Sequence, residues 1–103
     1  MSALEEAQKK RATRSVRDGI DRVLTDLQSL FRDVVLTQFG RTDGMINREL
    51  ESDISFVASA WQPERTLAVL DAITDTREAI EQNAAPLLAL ESLLVTITTG
   101  RTP

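Results

Sequence analysis

The sequence predicts an all-α fold, a helical bundle of about four main helices in which the first helix is long. Apolar residues recur at helical spacing through most of the 103 residues. Residues that cap or interrupt helices fall between these periodic segments, and no segment alternates apolar and polar residues as a half-buried strand does. The short connections favour packing of the helices as one bundle.

The first helix is predicted to run from near Ser2 to near Gly40. Ser2 and Glu5 have the spacing of a capping box, and Gly40 suits the left-handed residue that ends a helix. Its apolar seam consists of Val16, Ile20, Val23, Leu27, Leu30 and Val34. Leu24 and Phe31 widen this seam into a core-facing stripe. The basic half before the seam has little to bury, so we expect it to project from the core or to fray.

The second helix is predicted to begin after Asn47, which is a good N-cap residue. Its buried side consists of Leu50, Ile54, Val57 and Ala58. Trp61, Gln62 and Pro63 then interrupt the helical pattern. Pro63 suits the first position of a third helix, where Glu64 interacts favourably with the positive end of the helix dipole.

The third helix has a stripe that consists of Leu67, Leu70, Ile73, Arg77 and Ile80. Arg77 falls on the apolar side, so we expect its guanidinium to have a specific partner, because an unpaired buried charge costs several kcal/mol. Asn83 can end this helix in the left-handed conformation. Pro86 then suits the first position of a fourth helix.

The fourth helix is predicted to be apolar around most of its circumference and to end near Gly100. Its apolar residues are Leu87, Leu88, Leu90, Leu93, Leu94, Val95 and Ile97. Such a helix belongs in the middle of a bundle or against a partner chain. The β-branched residues 95–99 are predicted to be helical, because no second strand is available to pair with them.

The composition predicts a single domain and excludes several kinds of chemistry. An apolar content of 42% over this length is enough for one domain with one core. The sequence has no cysteine and no histidine, which excludes disulfides, thiolate zinc sites and histidine acid-base catalysis. No apolar run is long enough for a membrane span and no signal peptide is present, so we expect a cytoplasmic protein.

Catalytic motifs are also absent from the sequence. No GxxxxGK[ST] loop is present to bind a nucleotide phosphate. A carboxylate-bridged metal site of the Glu-x-x-His type needs histidine, and serines such as Ser29 and Ser92 have no base to activate them. We therefore predict no enzyme activity, no cofactor, no metal and no small-molecule substrate.

A basic cluster stands against the overall net charge of −4. It consists of Lys9, Lys10, Arg11, Arg14, Arg17 and Arg22. One interpretation is a solvated helix face. The other is a phosphate contact through Lys9, Lys10, Arg11 and Arg14, which Asp18 and Asp21 weaken and which no interleaved aromatic residue supports.

An ordered series of short motifs resembles a known family. It comprises FRDVV at 31–35, PER at 63–65, REAI at 77–80 and NAAPLLALESLL at 83–94. The series is similar to the C-terminal collar domain of bacterial clamp-loader subunits, and most similar to delta-prime subunits of DNA polymerase III. The lead-in KRATR at 10–14, with Arg17 and Asp18, resembles the actinobacterial versions in particular. The residues that carry the resemblance are Arg32, Asp33, Arg77, Glu78, Asn83, Pro86, Leu90 and Glu91.

The resemblance implies a fragment of a longer subunit. Residues 1–15 would be a basic helical lead-in from a missing upstream module, and residues 16–103 a single helical collar domain. In this family five collars form a ring that holds the loader together while ATPase modules open the sliding clamp. The implied partners are the gamma/tau-type ATPase subunit and the delta subunit, and no direct DNA contact is expected.

Individual residues receive roles as hypotheses. Glu91 is the one carboxylate of the fourth helix, and we expect it to pair with Arg77 or Arg32 in the core, or otherwise to face solvent. Trp61 and Arg65 are candidate interface residues, because aromatic and arginine side chains often anchor interfaces. The alternative for Trp61 is that it covers the base of the core.

Two other functions stay open at this point. The seam from Val16 to Val34 is typical of a coiled coil, which would make the chain a homodimeric helical adaptor. The basic cluster alone would favour a small DNA-binding protein.

Overall fold

The computed structural model describes residues 2–99 and is all-α over that range. Its helices are α1 (Ala3–Gln38), α2 (Glu51–Ala60), α3 (Pro63–Glu81) and α4 (Pro86–Thr99). Two short 3-10 turns, Thr42–Gly44 and Arg48–Leu50, connect α1 to α2. No strand occurs among the described residues. The predicted fold, four main helices with a long first one, is confirmed.

Local signals place most of the helix ends as predicted. The Ser2 Oγ accepts a hydrogen bond from the Glu5 N–H at 3.2 Å, which caps α1. Gly40 follows the end of α1 with φ +74°, and Asn83 follows α3 with φ +69°. Residues 95–99 are helical as predicted. The predicted end of the fourth helix near Gly100 lies outside the described residues.

The core lies where α2 and α3 pack against the second half of α1. Its buried apolar residues are Ile20, Leu24, Phe31, Val34, Met45, Ile54, Val69, Ile73, Ile80 and Leu93. Burying each large side chain of this kind stabilises the fold by about 1.5–3 kcal/mol. In this bundle α2 and α3 pack on α1, and α4, which contributes Leu93 to the core, packs mainly on α3.

Four positions of the stripes predicted for the first three helices are exposed. The exposed fractions are 47% for Val16, 46% for Val23, 38% for Leu50 and 46% for Leu67. In α3 the buried side is instead formed by Thr66, Val69, Ile73 and Ile80. Thr66 and Val69 flank Leu67 in the sequence, so the contact face of α3 is rotated away from Leu67.

Of the two positions predicted for α4, the middle of the bundle is wrong, and a position against a partner chain stays a prediction. Only Leu93 and Thr96 are buried in this helix. It contacts α3, and α1 in fewer places, and its remaining circumference faces solvent. Although α4 is apolar around most of its circumference, the other helices of this chain cover only one side of it.

The first half of α1 projects from the bundle. Of residues 3–19, only Ala7 and Arg17 are half-buried, and the others are exposed. This half is helical, so it projects and does not fray. The described chain accordingly measures 57 × 29 × 17 Å.

Asp33 is fully buried in α1 and organises the segment between α1 and α2. Its carboxylate accepts hydrogen bonds from the Ile46 N–H at 3.1 Å and the Asn47 N–H at 2.7 Å. The Asn47 side-chain amide also donates to Asp33 at 2.7 Å and to Ser29 Oγ at 3.1 Å. The sequence predicted that Asn47 caps α2, but its side chain makes no capping hydrogen bond. It instead holds the connection between α1 and α2 against α1.

The pKa of Asp33 is lowered. Burial raises the pKa of this carboxyl, but the hydrogen bonds from Asn47 and Ile46, with the positive charge of Arg32, outweigh that effect. A lowered pKa in the folded state contributes stability above the unfolded pKa of about 3.9, and this contribution is lost as the pH falls through the folded value.

Asp33→Asn should lower the free energy of unfolding by about 2–4 kcal/mol at pH 7, because three donors lose a charged acceptor. The difference from the wild type should shrink as the pH falls from about 4 toward 2. Urea titrations at pH 7 and pH 3 measure both effects. Asp26→Asn removes the same charge from the exposed side of α1 and is the control. An equal loss of stability in both variants would contradict the role of Asp33.

Thr66→Val should raise the free energy of unfolding by up to about 1 kcal/mol. Thr66 is fully buried, and its hydroxyl has no hydrogen-bond partner within residues 2–99. Thr96→Val is the matched control, because the buried Thr96 hydroxyl donates to the Ser92 carbonyl oxygen at 3.3 Å. Thr66→Val should have a higher melting temperature than Thr96→Val, and the reverse order would contradict this account of Thr66.

Candidate subunit-interaction surface

The outer face of α4 exposes large apolar side chains. Leu87, Leu88, Leu94 and Val95 have exposed fractions of 66%, 67%, 47% and 44%. Single exposed apolar residues are common on proteins, but a contiguous group marks an interaction site or an aggregation hazard. These four residues lie on one helix, so their spacing decides whether they are contiguous.

Helical geometry places these residues on one side of α4. At about 100° per residue, Leu87 and Leu94 lie in one row along the helix, and Leu88 and Val95 lie in a neighbouring row. Glu91 lies between the two rows, halfway along them. We call Leu87, Leu88, Glu91, Leu94 and Val95 the outer face of α4. The opposite side carries the buried residues Leu93 and Thr96.

The expected buried pairing of Glu91 with Arg77 or Arg32 is wrong. Glu91 is exposed on the outer face, and Arg32 is exposed on α1. The pairing was predicted because α4 was expected in the middle of the bundle. With α4 at the periphery, the alternative of a solvent-facing Glu91 is confirmed.

Arg77 does have a specific partner, but on α1. Its Nε lies 3.4 Å from Asp21 Oδ1, and its Nη1 donates to Gln28 Oε1 at 2.9 Å. Arg17 of α1 donates to the Ile80 carbonyl oxygen at 2.9 Å, at the negative end of the α3 dipole. These contacts hold the C-terminal end of α3, and hence the start of α4, against α1.

Trp61 and Arg65 hold the other end of α4. The Trp61 ring stacks on Phe31 with centroids 5.4 Å apart and an interplanar angle of 13°. The Arg65 guanidinium carbon lies 4.0 Å from the Trp61 ring centroid, and an Arg65 Nη donates to the Ile97 carbonyl oxygen at 3.0 Å. Both residues are half-buried and connect α1 to α4. Contact of either residue with a partner stays a prediction.

The other residues of the family pattern have framework positions. Asn83 and Pro86 form the turn between α3 and α4, and Leu90 is half-buried beneath the outer face. Glu78 is exposed on α3. The motif from Asn83 to Glu91 therefore sets the direction of α4 and so presents its outer face.

The basic residues of α1 do not form a uniformly positive groove. Lys9, Lys10, Arg11 and Arg14 are exposed. Three of them line a cleft of about 880 Å³ between α1 and the end of α3. Its charged lining is Lys9, Lys10, Arg14, Arg17 and Arg77 together with Glu6, Asp18, Asp21 and Glu81. Because carboxylates line the same cleft, it does not favour a phosphate chain, and phosphate contact stays a prediction.

Residues 2–99 lack both the side-chain group of a metal site and the helix of a membrane span. No group of three or more acidic side chains in this range could hold a metal ion. No helix in this range is long and apolar enough to cross a membrane. The outer face of α4 is one exposed apolar surface within residues 2–99, and Phe39, Ile46 and Phe56 are exposed elsewhere in this range.

The sequence did not identify the side chains of α1 that hold α3. Arg17 belongs to the basic cluster, Asp21 and Gln28 carry no motif, and the contacts of all three bridge distant parts of the chain. The outer face itself was visible only as general apolarity, because its leucines resemble those that the core uses. A helical wheel centred on Glu91 is the one sequence signal that separates the two sets.

Arg65→Ala should lower the free energy of unfolding by about 1–3 kcal/mol, because Trp61 loses a stacked cation and Ile97 a charged donor. The emission of Trp61, the sole tryptophan, should shift to longer wavelength as water reaches its ring. Arg22→Ala, at an exposed position of α1, should change stability by less than about 0.5 kcal/mol. Unchanged emission in Arg65→Ala would contradict the packing of Arg65 on Trp61.

Comparison with known proteins identifies the family. No curated protein and no solved structure matches the chain. Residues 6–99 match the family model described as DNA polymerase III, delta subunit, C terminal. This match covers α2, α3 and α4 and nearly all of α1. The chain belongs to the family formed by the C-terminal domains of DNA polymerase III delta subunits.

Proposed function

We propose that this domain is the non-catalytic collar of a delta-prime subunit, which helps to assemble the pentameric clamp loader that places the sliding clamp on DNA. The family match makes the chain the C-terminal domain of a clamp-loader subunit. The collar role and the delta-prime assignment are the steps beyond that match. The proposed partners are the collars of the gamma/tau-type ATPase subunit and of the delta subunit.

The outer face of α4 is the observation that carries the proposed assembly role. A helix whose exposed side is formed by Leu87, Leu88, Leu94 and Val95 leaves apolar surface in water. Covering that surface with a neighbouring subunit is favourable by about 25 cal/mol per Å² of apolar area before the costs of association. An assembly domain needs such a surface, whereas a domain acting alone does not.

The delta-prime assignment is supported by the ordered motifs that end in NAAPLLALESLL. In the structure this stretch builds the α3–α4 turn and the outer face. The proposal assigns the domain no chemistry of its own, because the sequence has no histidine, no cysteine and no phosphate-binding loop. The projecting half of α1, with residues 1–15, would lead to the upstream modules. The proposed site of action is the cytoplasm, without direct contact to DNA.

The homodimeric adaptor is less well supported. Its coiled coil would use the seam from Val16 to Val34. Ile20 and Val34 of that seam are buried within this chain. Pairing two α1 helices through the same seam would displace the helices that cover these residues. Of the six seam residues, only Val16 and Val23 are exposed, and Leu27 and Leu30 are half-buried.

Leu94→Asp should abolish or weaken at least about tenfold the complex with the C-terminal domain of the gamma/tau-type subunit from the same organism, because a charge would enter an apolar contact. Val23→Asp is the matched control, since Val23 and Leu94 are nearly equally exposed. Size-exclusion chromatography with light scattering measures complex formation, and circular dichroism checks that both variants are folded.

The same experiment distinguishes the adaptor. A chain that dimerises alone, ignores the partner and becomes monomeric in Val23→Asp would contradict the collar and favour the adaptor. The delta-prime assignment needs a competition experiment. The domain should displace intact delta-prime from the loader and leave intact delta in place, and the opposite result would assign it to delta.

A further inference from the structure

We infer that Glu91 determines the specificity of the outer face of α4: it prevents two copies of this chain from pairing through α4 and selects a partner helix that carries a lysine or arginine. This inference rests on the proposed function, because it describes the surface through which the domain would meet another clamp-loader subunit.

The position of Glu91 within the face is symmetric. Leu87 and Leu88 precede it by four and three residues, and Leu94 and Val95 follow it by three and four. All four apolar side chains are exposed, and so is the carboxylate between them. The face is therefore an apolar patch with one negative charge at its centre.

This symmetry makes the face self-complementary except at its centre. Two α4 helices crossing antiparallel about a two-fold axis would bring Leu87 and Leu88 of one copy against Leu94 and Val95 of the other. The same axis would place the two Glu91 carboxylates together in an interface that excludes water. Like charges in that position oppose association, and each carboxylate would also lose its hydration without gaining a partner.

No cation of the described chain neutralises Glu91. The one ion pair within residues 2–99 joins Arg77 to Asp21. Arg65, which reaches α4, donates to the Ile97 carbonyl oxygen and packs on Trp61. The Glu91 carboxylate is therefore available to a group from outside the chain.

A suitable partner follows from this arrangement. It is a helix of another clamp-loader subunit with apolar residues on either side of one lysine or arginine. Arginine fits best, because its planar guanidinium can donate two hydrogen bonds to one carboxylate. Such a partner gains the apolar contact that a second copy would gain and replaces the repulsion with a salt bridge. Glu91 thus acts as the repulsive element that makes the surface specific.

Sedimentation equilibrium of the wild type, Glu91→Gln and Glu91→Lys tests the inference. The wild type and Glu91→Lys should be monomeric alone, and an equimolar mixture of the two should form a heterodimer. Glu91→Gln should self-associate at least about tenfold more tightly than the wild type. Glu78→Gln, which removes an exposed charge from α3, should behave as the wild type. Adding Leu94→Asp to Glu91→Gln should restore the monomer and so locate the contact on α4.

The outcomes separate this inference from the proposed function. If Glu91→Gln associates no more tightly than the wild type, or if Glu78→Gln associates equally, the inference is overturned. Binding of the wild type to the gamma/tau-type C-terminal domain tests the proposed function by itself. If that complex forms and Glu91→Lys binds as tightly as the wild type, the collar proposal stands and the role of Glu91 fails. If Glu91→Gln dimerises but the wild type binds no other part of the loader, the collar proposal fails and the self-exclusion by Glu91 stands.

Discussion

Packing of α3 against α1 is the contact on which the rest of this domain depends. Leu24 of α1 and Ile73 of α3 are completely buried there. Arg17 and Arg77 hold the C-terminal end of α3 against α1 through hydrogen bonds and an ion pair that cross between the helices. Because α4 packs mainly on α3, its outer face is held in place relative to α1 by a contact in which α4 takes little part. The surface proposed for assembly is therefore only as well positioned as the α1–α3 pair beneath it.

The sequence predicted what is decided locally. Ser2 with Glu5, Gly40, Asn83, Pro63 and Pro86 place helix ends through the conformations and caps of single residues. Prediction from the sequence failed where the partner of a side chain lies in a distant part of the chain. Asn47 looked like a cap because its side chain often binds neighbouring backbone, but in the fold it binds the buried Asp33. Arg77 was rightly expected to have a partner, and the partner was wrongly named, since spacing alone does not say which helix lies beside it.

The fourth helix shows a limit of hydrophobic patterns that has a physical origin. Water excludes an apolar side chain without regard to what covers it, so Leu93 in the core and Leu94 on the surface carry the same signal in the sequence. The pattern of a wholly apolar helix predicts that all its sides are covered. It does not distinguish cover by the same chain from cover by a partner chain. The structure divides the helix into a side covered by α3 and a side that is not, and that division is the main information it adds about function.

A surface that must bind another subunit has to stay soluble before it does so. An uninterrupted apolar face on α4 would favour any apolar partner, including a second copy of the domain. One carboxylate at the centre of the face weakens every such contact and is compensated only where the partner supplies a positive charge. The leucines and valine would then provide affinity and Glu91 the selection, as expected when specificity depends on penalising wrong partners. In the proposed ring of similar collars that selection would matter more than affinity, because each neighbour would offer helices of the same kind.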